Sequence, residues 1–227
     1  MIRKMQQEEQ HGSINQKESI GQTLSDNEAT GRDAYFYKTH ELDMTVAIGA
    51  AVESGMTIAV RRGIAAGIEE KISNKKAKDV AVGMMQSIAA YSIESIVSEI
   101  CNCVDHGMFQ DQAFDEAKCI IRDSIIVNDV AIEQAKEVDS KIVNKMANIV
   151  VDAWMMIFVN GMKKSISICM EMGRTFCDAL NDAKNQAISM VKVCIEEKYL
   201  ERDDYINRSI YINDELYDES GYVVNNK

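Results

Sequence analysis

Three cysteines and one histidine form the group of side chains in this 227-residue chain that comes nearest to a metal site: Cys101, Cys103, His106 and Cys119. Their spacing is Cys-x-Cys-x2-His-x12-Cys, and thiolate and imidazole are ligands that zinc prefers. Residues two apart on a helix point to different sides, so Cys101 and Cys103 converge on one ion only if the helix unwinds there. The alternative, which we favour, is two semi-buried thiols and a surface histidine near a helix end.

No recognised catalytic motif occurs in the chain. It contains no Gly-x-x-x-x-Gly-Lys-Ser/Thr phosphate loop, no Gly-x-Ser-x-Gly elbow and no His-Glu-x-x-His zinc motif. The three histidines, His11, His40 and His106, are the whole supply of imidazole for acid–base chemistry. The sequence therefore predicts a protein that is not an enzyme and binds no cofactor.

The elements that position these residues are predicted to be helices. Average usage would place about eleven prolines in a chain of this length, and there are none. Since proline breaks helices, its absence is typical of long helices with few sharp turns. Apolar residues recur at helical steps, as at Val80, Met84 and Ile88, and Gly107 offers a helix stop. We expect an all-α fold in which long antiparallel helices form a bundle or a helical layer.

The composition divides the chain into three parts. Residues 1–32 are rich in polar side chains and are predicted to be a disordered arm. Residues 33–200 are predicted to form the helical domain. Residues 201–227 are acidic, contain four tyrosines and are expected to be an exposed tail.

An internal duplication is one explanation of the helical pattern. A shift along the chain aligns Gly55 with Gly161 and Gly67 with Gly173, which would give repeats near 41–104 and 147–200. The alternative is that helices of biased composition match by chance.

Small residues recur at every fourth position of the first helical segment, a pattern that we call the ladder. Its members are Ala47, Ala51, Gly55, Ala59, Gly63 and Gly67. A glycine in a helix interior costs ~1 kcal/mol relative to alanine, so we expect the ladder to be a helix-packing interface where backbones approach closely. The row drifts ~40° at each step, so one straight partner cannot touch all of it. The ladder therefore predicts contacts on more than one side, in a bundle centre or an assembly layer.

Charge and cysteine usage restrict the partners and the compartment. The net charge of −11 argues against nucleic-acid binding, which needs clustered Lys and Arg. Six cysteines lie mostly among apolar helical residues and no signal peptide is recognised, so we expect reduced thiols and a cytoplasmic location.

The chain is predicted to have no transmembrane segment. The best candidate, residues 44–60, contains Glu53 and runs directly into Arg61 and Arg62, whereas a span needs about 20 apolar residues. The two arginines are expected to lie on a solvated face. Peripheral membrane contact stays open.

Part of the chain resembles the RebB-type structural subunits of bacterial R-bodies. The resemblance rests on Val46-Ala47-Ile48-Gly49, the small-residue helix after it, and Tyr91-Ser92-Ile93-Glu94, and it covers residues 44–95. It implies a subunit of a ribbon that coils in the cytoplasm. The chain departs from that family in its greater length and in Arg61 and Arg62, where the family is neutral.

Together these features predict a non-enzymatic, self-assembling structural protein that forms homo-oligomers or assembles with related subunits. The alternative is a helical binding module or effector with a methionine-rich groove for a partner helix or an apolar ligand. The methionines in question are Met84, Met85, Met155, Met156, Met162, Met170 and Met172. We favour core filling as their role.

Overall fold

A computed structural model describes residues 44–127, 135–206, 210–212 and 215–217 of the chain. Five long helices make up most of this part: α1 Met44–Glu69, α2 Asn74–Asp105, α3 Gln110–Val127, α4 Ser140–Glu171 and α5 Phe176–Glu196. A 3-10 helix at Tyr199–Glu201 and a one-turn helix, α6 Asp203–Ile206, come next. Two antiparallel strands follow, β1 Ile210–Ile212 and β2 Glu215–Tyr217. The predicted all-α bundle is confirmed. The predicted arm, residues 1–32, lies outside the described residues.

Local sequence signals set the limits of the helices. The Ser73 hydroxyl accepts a hydrogen bond from the Lys76 N–H at the start of α2, and the Thr175 hydroxyl accepts one from the Asp178 N–H at the start of α5. Gly107 lies two residues after the end of α2, beyond His106, and has a φ of 86°. Glycine adopts this left-handed conformation without steric cost, so the predicted stop at Gly107 is confirmed.

Helix α1 runs antiparallel to both α2 and α4. Gly63 and Gly67 of α1 lie against Ala81 and Ala77 of α2, respectively, so these two helices are antiparallel. Helix α1 meets α4 in the same reversed order. Helices α2 and α4 are therefore parallel to each other, and both begin at the end of the bundle where α1 ends. We call the end of the bundle where α1 ends and α2 and α4 begin the turn end, and the opposite end the far end.

The first residues of the predicted tail return to the bundle. Leu200 and Ile206 are 2% and 4% exposed and belong to the hydrophobic core. Leu200 is the last residue of the predicted helical domain. The expectation of an exposed tail is wrong at Ile206, whereas residues 201–204 are exposed.

The prediction that the chain lacks a transmembrane segment is contradicted by α1, α2 and α4. These helices are 26, 32 and 32 residues long, and each contains an 18-residue apolar stretch with at most two charged residues. Length and composition therefore allow each of them to cross a membrane. The prediction was wrong because it considered residues 44–60 as the best candidate, whereas α1 continues to Glu69 and both α2 and α4 are longer. Half to two-thirds of each stretch, 50% to 67%, is buried inside the bundle.

Candidate functional site

The residues of the predicted zinc spacing lie on two helices and do not converge. Cys101 is half-buried and Cys103 is buried on α2, whereas Cys119 is exposed on α3. His106 follows α2, and its Nδ1 lies 2.7 Å from the carbonyl oxygen of Asn102. In the described part of the chain no three His, Cys, Asp or Glu residues are grouped to hold a metal ion. Burial raises the pKa of the Cys101 and Cys103 thiols, which keeps them protonated and poor as ligands.

The ladder lies inside the bundle, and one side of it packs on α4. A Cβ atom added to Gly55 would lie 3.1 Å from the indole ring of Trp154. A Cβ at Gly63 would lie 2.6 Å from Cγ2 of Val150, closer than real Cβ atoms approach other atoms. The glycines therefore let the backbone of α1 approach the large side chains of α4, and a larger residue at either position would force those side chains to shift.

A second side of the ladder packs on α2. Added Cβ atoms at Gly63 and Gly67 would lie 2.9 Å and 2.8 Å from the Cβ atoms of Ala81 and Ala77. A glycine of α4 also allows close approach to the ladder, since a Cβ added to Gly161 would collide with the Cβ of Ala51. The ladder thus joins α1 to α2 and to α4, and its members from Ala51 onward are buried in this way.

Trp154 forms a polar contact at the centre of this arrangement. Its side chain is fully buried on α4, and its indole N–H donates a hydrogen bond of 2.8 Å to the hydroxyl of Ser92 on α2. Ser92 donates in turn to the carbonyl oxygen of Ala89, at 2.9 Å. The ring stacks on Phe158 with a centroid separation of 4.7 Å. The three helices that are long and apolar enough to cross a membrane therefore meet at one indole ring.

Arg61 is the only charged side chain that is buried among the described residues. It is 2% exposed, and its Nε–H donates a hydrogen bond to the carbonyl oxygen of Ile206. The prediction of a solvated face is therefore wrong for Arg61. The sequence offers no local signal for this burial, because the acceptor lies 145 residues further along the chain.

A cleft of about 950 Å³ opens beside Arg61, between the end of α1, the start of α2 and the residues after α5. Lys75, Lys78 and Asp79 contribute charged side chains to its wall. Lys78 already has two partners, since its Nζ donates to the carbonyl oxygen of Glu201 at 2.7 Å and to the carboxylate of Asp203 at 2.6 Å.

Helix α3 covers part of α4 through charged contacts at the surface. Arg122 pairs with Asp152 at 2.5 Å, and Lys163 pairs with Asp115 at 3.2 Å. Beneath these pairs Phe114 is buried against the core. Ion pairs as exposed as these add little stability, so the apolar contacts of α3 hold it in place.

The methionines of the predicted groove are divided between core and surface. Met84, Met85, Met155 and Met162 are buried, which agrees with core filling. Met156 and Met170 are exposed, and Met172 is half-buried. Most of this set therefore fills the interior of the bundle.

No protein-family model, no curated protein and no solved structure matches this chain. The resemblance to R-body subunits, the self-assembly and the cytoplasmic location stay predictions.

Proposed function

We propose that the protein is a non-enzymatic helical protein that acts at a membrane. In this proposal the bundle holds α1, α2 and α4 packed together and releases them into a lipid bilayer. The observation that carries the proposal is that the three helices with membrane-crossing length and composition are the same three that the ladder and Trp154 join. The absence of a recognised catalytic motif supports the non-enzymatic class.

The direction of the helices requires the bundle to open before all three can cross. Helix α2 ends at the far end, whereas α4 begins at the turn end, so in the folded arrangement α3 would have to cross as well. Helix α3 exposes Asp115, Lys118 and Arg122. At the centre of a bilayer each such charge costs about 2.5–3.5 kcal/mol. In the membrane form α3 therefore separates from α4 and lies at the surface, and α4 crosses in the direction opposite to α2.

The contacts of the ladder with α2 suit both environments. Inside the bundle they let apolar side chains pack closely, away from water. In lipid, where helices gain nothing from hiding apolar surface, close approach at small residues is the main source of helix association. The α1–α2 contacts at Gly63 and Gly67 can therefore persist after the bundle opens.

Flotation of the purified full-length protein with neutral phospholipid vesicles tests the proposal. We expect the protein to float with the vesicles and to stay with them after an alkaline carbonate wash, which removes proteins bound only at the surface. Recovery of all the protein in the lipid-free fraction, or its complete release by carbonate, would contradict the proposal.

A further inference from the structure

A short segment after α5 bridges the two helices of the α1–α2 hairpin. This segment, residues 199–206, contains the 3-10 helix Tyr199–Glu201 and α6, and we call it the strap. Leu200 and Ile206 anchor it, since both side chains are buried in the core. Its residues 201–204, which include Asp203, are exposed.

Each helix of the hairpin supplies one cation that binds the strap. Arg61 of α1 donates to the carbonyl oxygen of Ile206, at the last turn of the strap. Lys78 of α2 donates to the carbonyl oxygen of Glu201 and to the carboxylate of Asp203. The strap therefore joins α1 to α2 at the turn end, beside the cleft.

The two attachments differ in strength because they differ in burial. The Arg61 contact is inside the protein, and a buried cation that loses an acceptor leaves a large desolvation cost uncompensated. The Lys78 side chain is 22% exposed and Asp203 is 83% exposed, so water at the cleft screens their ion pair. The strap is therefore held firmly by Leu200, Ile206 and Arg61 and weakly at Asp203.

We propose that the strap is a latch that keeps the α1–α2 hairpin inside the bundle, and that its release is the step that frees the hairpin to enter a membrane. The second part rests on the proposed function. The first part concerns the bundle alone, because the strap follows α5 in the chain, so binding it to both helices of the hairpin opposes their separation from α5.

Hydrogen exchange of the full-length protein in the absence of lipid tests the latch. Leu200→Ser removes a buried anchor, and we expect it to speed amide exchange in the α1–α2 hairpin by about tenfold or more. Asp203→Asn removes only the screened pair, and we expect an increase of about twofold to fivefold at the same positions. Asp204→Asn is the matched control, since it makes the same change of charge but Asp204 pairs with Arg202 inside the strap.

Exchange that rises in α1 and α2 ahead of α4 and α5, for Leu200→Ser and not for the control, supports the latch. If Leu200→Ser exchanges no faster than the control, or if its exchange rises equally in all five long helices, the latch is overturned. The same variants are then mixed with neutral vesicles, where a released hairpin inserts faster than in the parent protein. If the hairpin opens in solution but no variant enters vesicles, the latch stands and the proposed membrane function fails.

Discussion

Replacing Ala90 by lysine should affect the proposed membrane form of the protein but not the folded bundle. Ala90 lies on the exposed side of α2, midway between Asn74 and Asp105. In the bundle the new lysine points into water, so the free energy of unfolding should change by no more than about 0.5 kcal/mol. The fold itself is therefore expected to tolerate the substitution.

The same lysine is costly once α2 crosses a bilayer. With a rise of 1.5 Å per residue, the position lies ~23 Å from either end of the helix, and so near the midplane of a hydrocarbon core that is ~30 Å thick. A lysine there costs about 2.5–3.5 kcal/mol. Since about 1.4 kcal/mol is a factor of ten, the partition of Ala90→Lys into vesicles should fall on the order of a hundredfold.

The assay is vesicle flotation at a series of lipid concentrations, with unfolding measured in parallel. Asn102→Lys is the matched control, because Asn102 is also exposed on α2 but lies near its end, where a lysine reaches the headgroups. We expect this control to partition like the parent protein. Equal flotation of the two lysine variants and the parent would refute the assignment of α2 as a membrane-crossing helix.

The remaining predictions concern the bundle itself. Gly63→Leu should destabilise the protein by at least about 1–3 kcal/mol in chemical denaturation, because its Cβ would lie 2.6 Å from Val150 and 2.9 Å from Ala81. Gly49→Ala should instead be neutral or stabilise the protein by up to about 1 kcal/mol, since the added Cβ would lie 3.8 Å from its nearest neighbour, Cε of Met190. Equal losses of stability in the two glycine variants would refute the close packing at Gly63. In thiol labelling of the native protein near pH 8, the exposed Cys119 should react before the buried Cys103, whose pKa burial raises above the ordinary 9.0. Because the Cys103 thiol loses its proton at a lower pH in the unfolded chain than in the folded protein, the free energy of unfolding should fall as the pH rises through about 9. Equal labelling rates of Cys119 and Cys103, or a free energy of unfolding that rises with pH, would contradict the burial of Cys103.

The helical fold could be predicted from the sequence because its signals are local. The lack of proline and the helical spacing of apolar residues favour helices wherever the chain packs. The drift of the ladder also indicated contacts on two sides, and α2 and α4 occupy those sides. Gly107 ends α2 as a glycine after a helix is expected to.

The features that the sequence did not reveal depend on distant parts of the chain. In the sequence Arg61 resembles a solvated residue. Its hydrogen bond to the carbonyl oxygen of Ile206 joins distant parts of the chain, so the residues near Arg61 give no sign of it. The role of Trp154 depends on the hydroxyl of Ser92 and on the space above Gly55, each on a different helix. The sequence pattern does not reveal the three helices that are long and apolar enough to cross a membrane, because charged residues interrupt the apolar stretches while the helices continue beyond them.

Fluorescence of Trp154 tests the membrane proposal most directly. It is the only tryptophan in the chain and lies near the middle of α4. If α4 crosses the bilayer, the indole lies near the midplane, so phospholipids with bromine deep in their acyl chains should quench its emission more strongly than phospholipids with bromine near the headgroup. Emission that stays unquenched by either lipid while the protein floats with the vesicles would contradict the crossing of α4.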